Sequence, residues 1–165
     1  MVIRIVSMLA GAAGAVAVSQ APGFTAAYMQ NLEGRVDELR VIVERFEANI
    51  ASIGYDRERA LAECAVAERL LGALCDGIAE DIERYETLRA HRAELLAAES
   101  WARPVVLARA PQRDVAASAY DAYEPVVPAT ATGAGYAAAG FAGGWGGLTV
   151  ILGLLTAPFR RREAY

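Results

Sequence analysis

The chain has no lysine and a single histidine, His91, among its 165 residues. One histidine excludes any multi-histidine metal site within one chain. His91 follows Leu88 by three and precedes Leu95 by four, at the edge of an apolar stripe. It reads as a satisfied or half-exposed helix residue rather than a catalytic base. All sixteen basic residues are arginine, which reads as a GC-rich coding bias rather than a functional choice. Serine is scarce too: Ser7, Ser19, Ser52, Ser100 and Ser118, none in a G-x-S-x-G setting, so hydrolase chemistry has no footing. No alternating run and no Asn-Gly turn appears, so no strand is expected. Two cysteines, Cys64 and Cys75, stand eleven residues apart. On one continuous helix they would lie about 16 Å apart, beyond the roughly 4.4–6.8 Å that a disulfide allows. They read as small buried hydrophobes, with an intermolecular bridge as the alternative in an oxidising compartment.

The longest absence is of charge. From Tyr136 to Ala157 there is no charged residue, and Arg160, Arg161 and Arg162 follow closely. At about 1.5 Å per residue such a helix crosses a bilayer core of roughly 30 Å, and the arginines act as a cytoplasmic stop. A second apolar stretch, Ile5 to Val18, opens the chain. Arg4, the apolar run and Ala15-Val16-Ala17 have the form of a signal peptide, but an uncleaved span over Val2–Ser19 is the preferred expectation. Small residues support it. Ala10 with Gly14, and Gly11 with Ala15, repeat at four-residue spacing, as do Gly140 with Gly144 and Gly143 with Gly147, so the two spans are expected to pack on each other. The arginines put both termini in the cytoplasm and the middle of the chain in the periplasm of a bacterium.

The expected organisation is a first span over 1–20, a helical extramembrane module over 21–128, a second span over 129–159 and a basic tail over 160–165. Between Phe24 and Pro128 lie twelve arginines and nineteen acidic residues, so the module is net acidic. That argues against nucleic acid, which needs a basic face. After a break at Ser19-Gln20-Ala21-Pro22-Gly23, the positions Phe24, Tyr28, Leu32, Val36, Leu39, Val43, Phe46 and Ile50 make a coiled-coil-like stripe. Gly34 within it is expected to mark a close backbone contact, and Gly54 to end the helix near Ser52. Asp56 is the N-cap of a short helix. A long one ends near Glu99, with the join between them open and a stripe from Leu61 through Cys64, Leu71, Cys75, Ile78, Ile82, Tyr85, Arg89, Arg92 and Leu96, in which Glu68, Arg89 and Arg92 are polar intruders. An irregular link around Trp101, Pro104 and Pro111 leads to a short helix over Asp114–Ala122.

The fold class is therefore all-α: two transmembrane helices flanking a long antiparallel helical hairpin or small bundle. Glu80, Asp81, Glu83 and Glu86 are a solvated face, with Glu80–Arg84 and Glu86–Arg89 pairs, rather than a cation site. Gly140 to Gly147 lacks the Gly-Lys-Ser/Thr ending of a phosphate loop. Tyr120, Tyr123 and Tyr136 suit an interface with lipid. No catalytic, metal or cofactor residue is predicted. The expected partner surface is Val36, Leu39, Val43, Phe46, Ile78, Ile82 and Tyr85, with the first four buried either against the chain's own long helix at the last three or against the same stripe of a neighbouring copy; the span-packing residues are Gly11, Gly14, Gly140, Gly143, Gly144 and Gly147.

Ser19-Gln20-Ala21-Pro22 with Phe24 and Tyr28, Ile82-Glu83-Arg84-Tyr85, and Pro125-Val126-Val127-Pro128-Ala129-Thr130 with Gly133 carry a resemblance over nearly the whole chain. The chain resembles a family of short proteobacterial inner-membrane proteins catalogued as a domain of unknown function. It departs from that pattern in lacking a proline-containing break near Ala65 to Ala67. The resemblance implies an uncleaved membrane protein and supplies no activity or catalytic residue. The expectation is a non-enzymatic inner-membrane accessory or scaffold protein, in contact with lipid, binding a protein partner or its own copies. An oligomeric channel or transport component is the alternative, although no ionisable residue lies within either span beyond Arg4.

Overall fold

A computed structural model describes residues 2–125 and 129–160. Arg161 and Arg162 of the basic tail, and Val126 to Pro128 of the resemblance motif, lie outside the described residues. The chain is all-α, 85% helical with no strand among the described residues. Its helices are α1 (Val2–Ser19), α2 (Ala21–Ser52), α3 (Arg57–Cys64), α4 (Arg69–Ala97), α5 (Arg103–Arg109), α6 (Arg113–Ala122) and α7 (Ala131–Arg160). They divide into two compact units, one drawn from residues 1–27 and 120–165, the other Tyr28–Ala119.

In the first unit α1 and α7 pack antiparallel, because glycine lets their backbones meet. A Cβ on Gly14 would lie 2.5 Å from the Gly140 carbonyl oxygen, and one on Gly144 would lie 2.5 Å from that of Ala10. A Cβ on Gly140 would strike the Gly14 carbonyl, and one on Gly11 would crowd Phe141 and Trp145 at 3.0 Å. The expected packing by Gly11, Gly14, Gly140 and Gly144 holds. Gly143 and Gly147 show no such approach: nothing lies within 4 Å of a Cβ built at either. Two helical stretches, one opening at Ile3 and one over Ala131–Leu155, are long and apolar enough to cross a membrane. Their outward side chains, among them Met8, Leu9, Val16, Val150, Leu154 and Leu155, are exposed apolar groups.

The expected break after Ser19 shrinks to one non-helical residue, Gln20. Pro22 occupies the second position of α2, where a missing N–H loses no helical bond. Ser19 Oγ donates to the Val16 carbonyl at 2.8 Å, and the Phe24 N–H donates to the Gln20 carbonyl at 2.9 Å. Tyr123 closes this corner: its hydroxyl donates to Gln20 Oε1 at 3.0 Å, and its ring meets Phe24 edge-on at 5.9 Å between centroids.

In the second unit α2 and α4 run antiparallel, with α6 against both. Tyr28, Leu32, Val36 and Val43 of the α2 stripe are buried, as are Leu107 of α5, and Val115 and Ala119 of α6. Helix α2 ends at Ser52, with Gly54 at φ +78°, as expected of a left-handed cap. Asp56 caps α3, accepting from the Arg59 N–H at 2.8 Å. Gly34 makes no close contact; nothing lies within 4 Å of a Cβ built there. The link around Pro104 is helical rather than irregular. Pro104 stands in the first turn of α5, where proline is pre-organised for helix.

Two expectations about α4 are corrected. The join falls at residues 65–68, without the proline that the resemblance led one to expect; Arg69 opens α4 at φ +55°. This reversal brings Cys64 and Cys75 to a Cα separation of 5.3 Å, and they form a disulfide. The 16 Å estimate assumed a helix that does not continue. The buried row of α4 is Cys75, Ile82, Leu88, His91 and Leu95, so the phase beyond Ile82 shifts away from Tyr85, Arg89, Arg92 and Leu96. Arg92 is spent on an ion pair with Glu33 of α2, at 2.5 Å, and Leu96 faces outward.

Candidate interaction site

Polar side chains fix how the second unit's helices align. The buried Tyr28 hydroxyl accepts from the Gln112 backbone N–H at 3.0 Å. Its own proton is then free for His91 Nε2, 2.9 Å away, an arrangement that suits a neutral imidazole with its proton on Nδ1. Burial pushes the His91 pKa down, against a smaller pull from Glu94, and burial pushes the Tyr28 pKa up. His91 is thus a satisfied core histidine, 7% exposed, with no second histidine to ligate a metal. Nearby, Asp114 accepts from both Arg35 and Arg84. Burial raises the Asp114 pKa, but the hydrogen bond and charge of Arg84 outweigh it and hold the carboxyl below its usual range. Arg57 bridges Glu47 and Glu86. The expected Glu80–Arg84 and Glu86–Arg89 pairs within α4 are therefore replaced by pairs between elements, because Arg84 and Glu86 face α6 and the start of α3. The Arg40–Glu44 pair of α2 is present at 3.8 Å.

Beyond these pairs, where α2 ends, the surface changes character. A cavity of about 650 Å³ opens between α2, α3, the 65–68 turn and the start of α4. Its walls include Phe46, Ile50, Ile53, Leu71, Leu74 and Ile78, with the Cys64–Cys75 bridge among them and Arg45 and Glu63 as the charged members. Around it Ile53, Val66, Leu70, Leu71 and Leu74 are 61–81% exposed. Isolated exposed leucines need no explanation, but a contiguous apolar patch of several hundred square ångströms on a polar surface marks a place of contact.

Of the predicted partner surface, this site brings together only Phe46 and Ile78. Val36, Val43 and Ile82 are buried in the chain's own core, and Leu39 and Tyr85 are half-buried outside the cavity. The predicted stripe is thus largely intramolecular. The residues it missed, Ile53, Val66, Leu70, Leu71 and Leu74, carried one signal: Leu70, Leu71 and Leu74 are apolar at i, i+1 and i+4 and fall partly outside the stripe's phase. Among the described residues, no group of three His, Cys, Asp or Glu side chains could hold a metal ion.

An all-α chain with two helices long and apolar enough to cross a membrane, and a helical bundle that carries one disulfide, defines a class. Residues 2–161 match a family described as a protein of unknown function (DUF2937), and the chain belongs to that family. No curated protein and no solved structure matches it.

Proposed function

We propose that the protein is a non-enzymatic accessory or scaffold protein of a bacterial inner membrane, anchored in lipid by α1 and α7. Its termini are cytoplasmic, and its periplasmic bundle binds a partner protein or further copies of the chain. The carrying observation is the exposed apolar surface around the cavity at the end of α2. Water-facing leucines of this density gain free energy when a partner covers them, at about 25 cal/mol per Å². The Cys64–Cys75 bridge supports the placement, since such bonds persist in oxidising compartments. So do the arginines at the two ends of the chain.

A second reading, a channel or transport component made of several copies, draws on the open row of Gly143 and Gly147, which leaves α7 a face for close helix packing between chains.

Affinity capture of the tagged full chain from native membranes, with mass spectrometry, tests the leading reading. A defined protein should co-purify in stoichiometric amount and be lost from the Leu71→Asp variant. Recovery of the same proteins with both chains would reject the apolar surface as the binding site.

A further inference from the structure

The reversal between α3 and α4 runs against its own sequence. Ala65 to Leu71 contains neither glycine nor proline, and every residue but Val66 is a strong helix former. A helix continued through this segment would set Cys64 and Cys75 about 16 Å apart, at 1.5 Å per residue. The chain turns instead. Arg69 completes the turn at φ +55°, the one non-glycine residue at positive φ among the described residues. A side chain disfavours that conformation, so its surroundings must hold it there. Packing and capping contribute little. Glu68, at the N-cap of α4, makes no side-chain hydrogen bond to the first turn, and α3 buries only Ala60. Val66, Leu70 and Leu71 stand out into solvent. Gly72 gives the turn room, since a Cβ there would lie 2.8 Å from the Ala67 carbonyl oxygen, but room does not hold it. The firm tie is the Cys64–Cys75 bond, which keeps the two Cα atoms 5.3 Å apart. Local preference and global path conflict here, and a covalent bond decides between them.

We infer that this disulfide is a redox latch on the α3–α4 reversal. Oxidised, it imposes the turn. Reduced, α4 lengthens backwards through 65–68, so that the N–H groups of Arg69, Leu70 and Leu71 gain the carbonyls of 65–67 as helical acceptors. Helix α3 unwinds to supply the connection, from an anchor at Arg57 with its pairs to Glu47 and Glu86. Cys64, Val66, Ala67, Leu71 and Cys75 are all walls of the cavity, so redox state decides whether that cavity exists. The reductant is a dithiol. Its thiolate attacks Sγ of the half-buried Cys64 in preference to that of Cys75, which is only 8% exposed. The Cys75 sulfur leaves and is protonated. The donor's second thiol then displaces Cys64, so two electrons and two protons pass to the chain and the donor becomes a disulfide. The latch goes beyond the proposed binding role and does not depend on it.

Hydrogen–deuterium exchange of the full chain in detergent, read by mass spectrometry with and without dithiothreitol, tests this. On reduction the amides of residues 68–71 should exchange at least tenfold more slowly, while those of 58–64 exchange faster. The change should reverse when the bond is re-formed. Cys64→Ser with Cys75→Ser should match the reduced wild type with no reductant present; should that variant misfold, the reduced wild type decides alone. Faster exchange in both segments would mean that the bond merely stiffens a turn, and overturns the inference. Unchanged exchange in a chain whose mass after alkylation shows two free thiols would mean that the reversal holds itself, and overturns it as well. Neither result touches the binding role, which protein capture decides.

Discussion

At the scale of single residues, the Tyr28–His91 pair sets the bundle's response to acid. Protonated His91 would present an N–H to a Tyr28 oxygen already accepting from Gln112, and the Tyr28 proton would lose its acceptor. Burial also disfavours the charge, so the folded-state pKa lies below the ordinary value of 6.5. The unfolded chain therefore binds more protons in the window below 6.5, and stability falls as pH falls through it towards the lowered folded value. Thermal unfolding of the full chain in detergent should show the melting temperature declining from pH 6.5 downward. His91→Gln should flatten that decline while costing stability at pH 7.5. Asp114, held low by Arg84, adds a further loss in the same direction only at more acid pH, below the ordinary value of 3.8, so the two are separable. An equal decline in wild type and variant would show that His91 is not the sensor.

At the scale of elements, the first unit depends on backbone approach rather than on side-chain fit. Gly140→Val places atoms against the Gly14 carbonyl, which belongs to helical backbone and cannot step aside. Such overpacking costs about 1–3 kcal/mol, whereas Gly143→Val, in open space, should stay within about 0.5 kcal/mol. Melting temperatures of both variants in detergent check this; equal values would mean that α1 and α7 are not packed through Gly140. Much at this scale was legible in the chain. The α2 stripe, the Gly54 stop, the Asp56 cap and the Gly14–Gly140–Gly144 packing follow from periodicity and backbone sterics. The α3–α4 reversal was not legible, because Ala65-Val66-Ala67-Glu68 contains neither glycine nor proline and a left-handed arginine completes it. The disulfide went with it. The true phase of α4 follows the row through Leu88, His91 and Leu95, whereas the row through Tyr85 runs on to the polar Arg89 and Arg92. The choice between them is made by what α2 and α6 offer, namely Tyr28 for His91 and Glu33 for Arg92.

At the scale of the whole molecule, the candidate site was only half legible. Phe46 and Ile78 line it, but its outward leucines become a surface only once the chain turns back on itself. Topology is open to direct measurement. Glu38 is exposed and has no ion pair among the described contacts, so Glu38→Cys should leave the bundle intact. With the native cysteines joined to each other, the wild type supplies an unreactive background. An impermeant thiol reagent should label the variant in whole cells with a permeable outer membrane. Labelling that needed lysis would place the bundle in the cytoplasm.

The Cys64–Cys75 bond closes a small ring around the 65–68 turn and leaves the Tyr28, Asp114 and Arg57 contacts outside it. The Tyr28, Asp114 and Arg57 contacts therefore do not depend on that bond, while the cavity wall that contains it does. On the proposed topology the two thiols of a newly made chain meet the oxidants of the periplasm only after crossing, so that wall would be the last part of the bundle to be completed. Maturity would thus be written into the surface itself, and only a chain that had completed its passage would present a finished face to its neighbours.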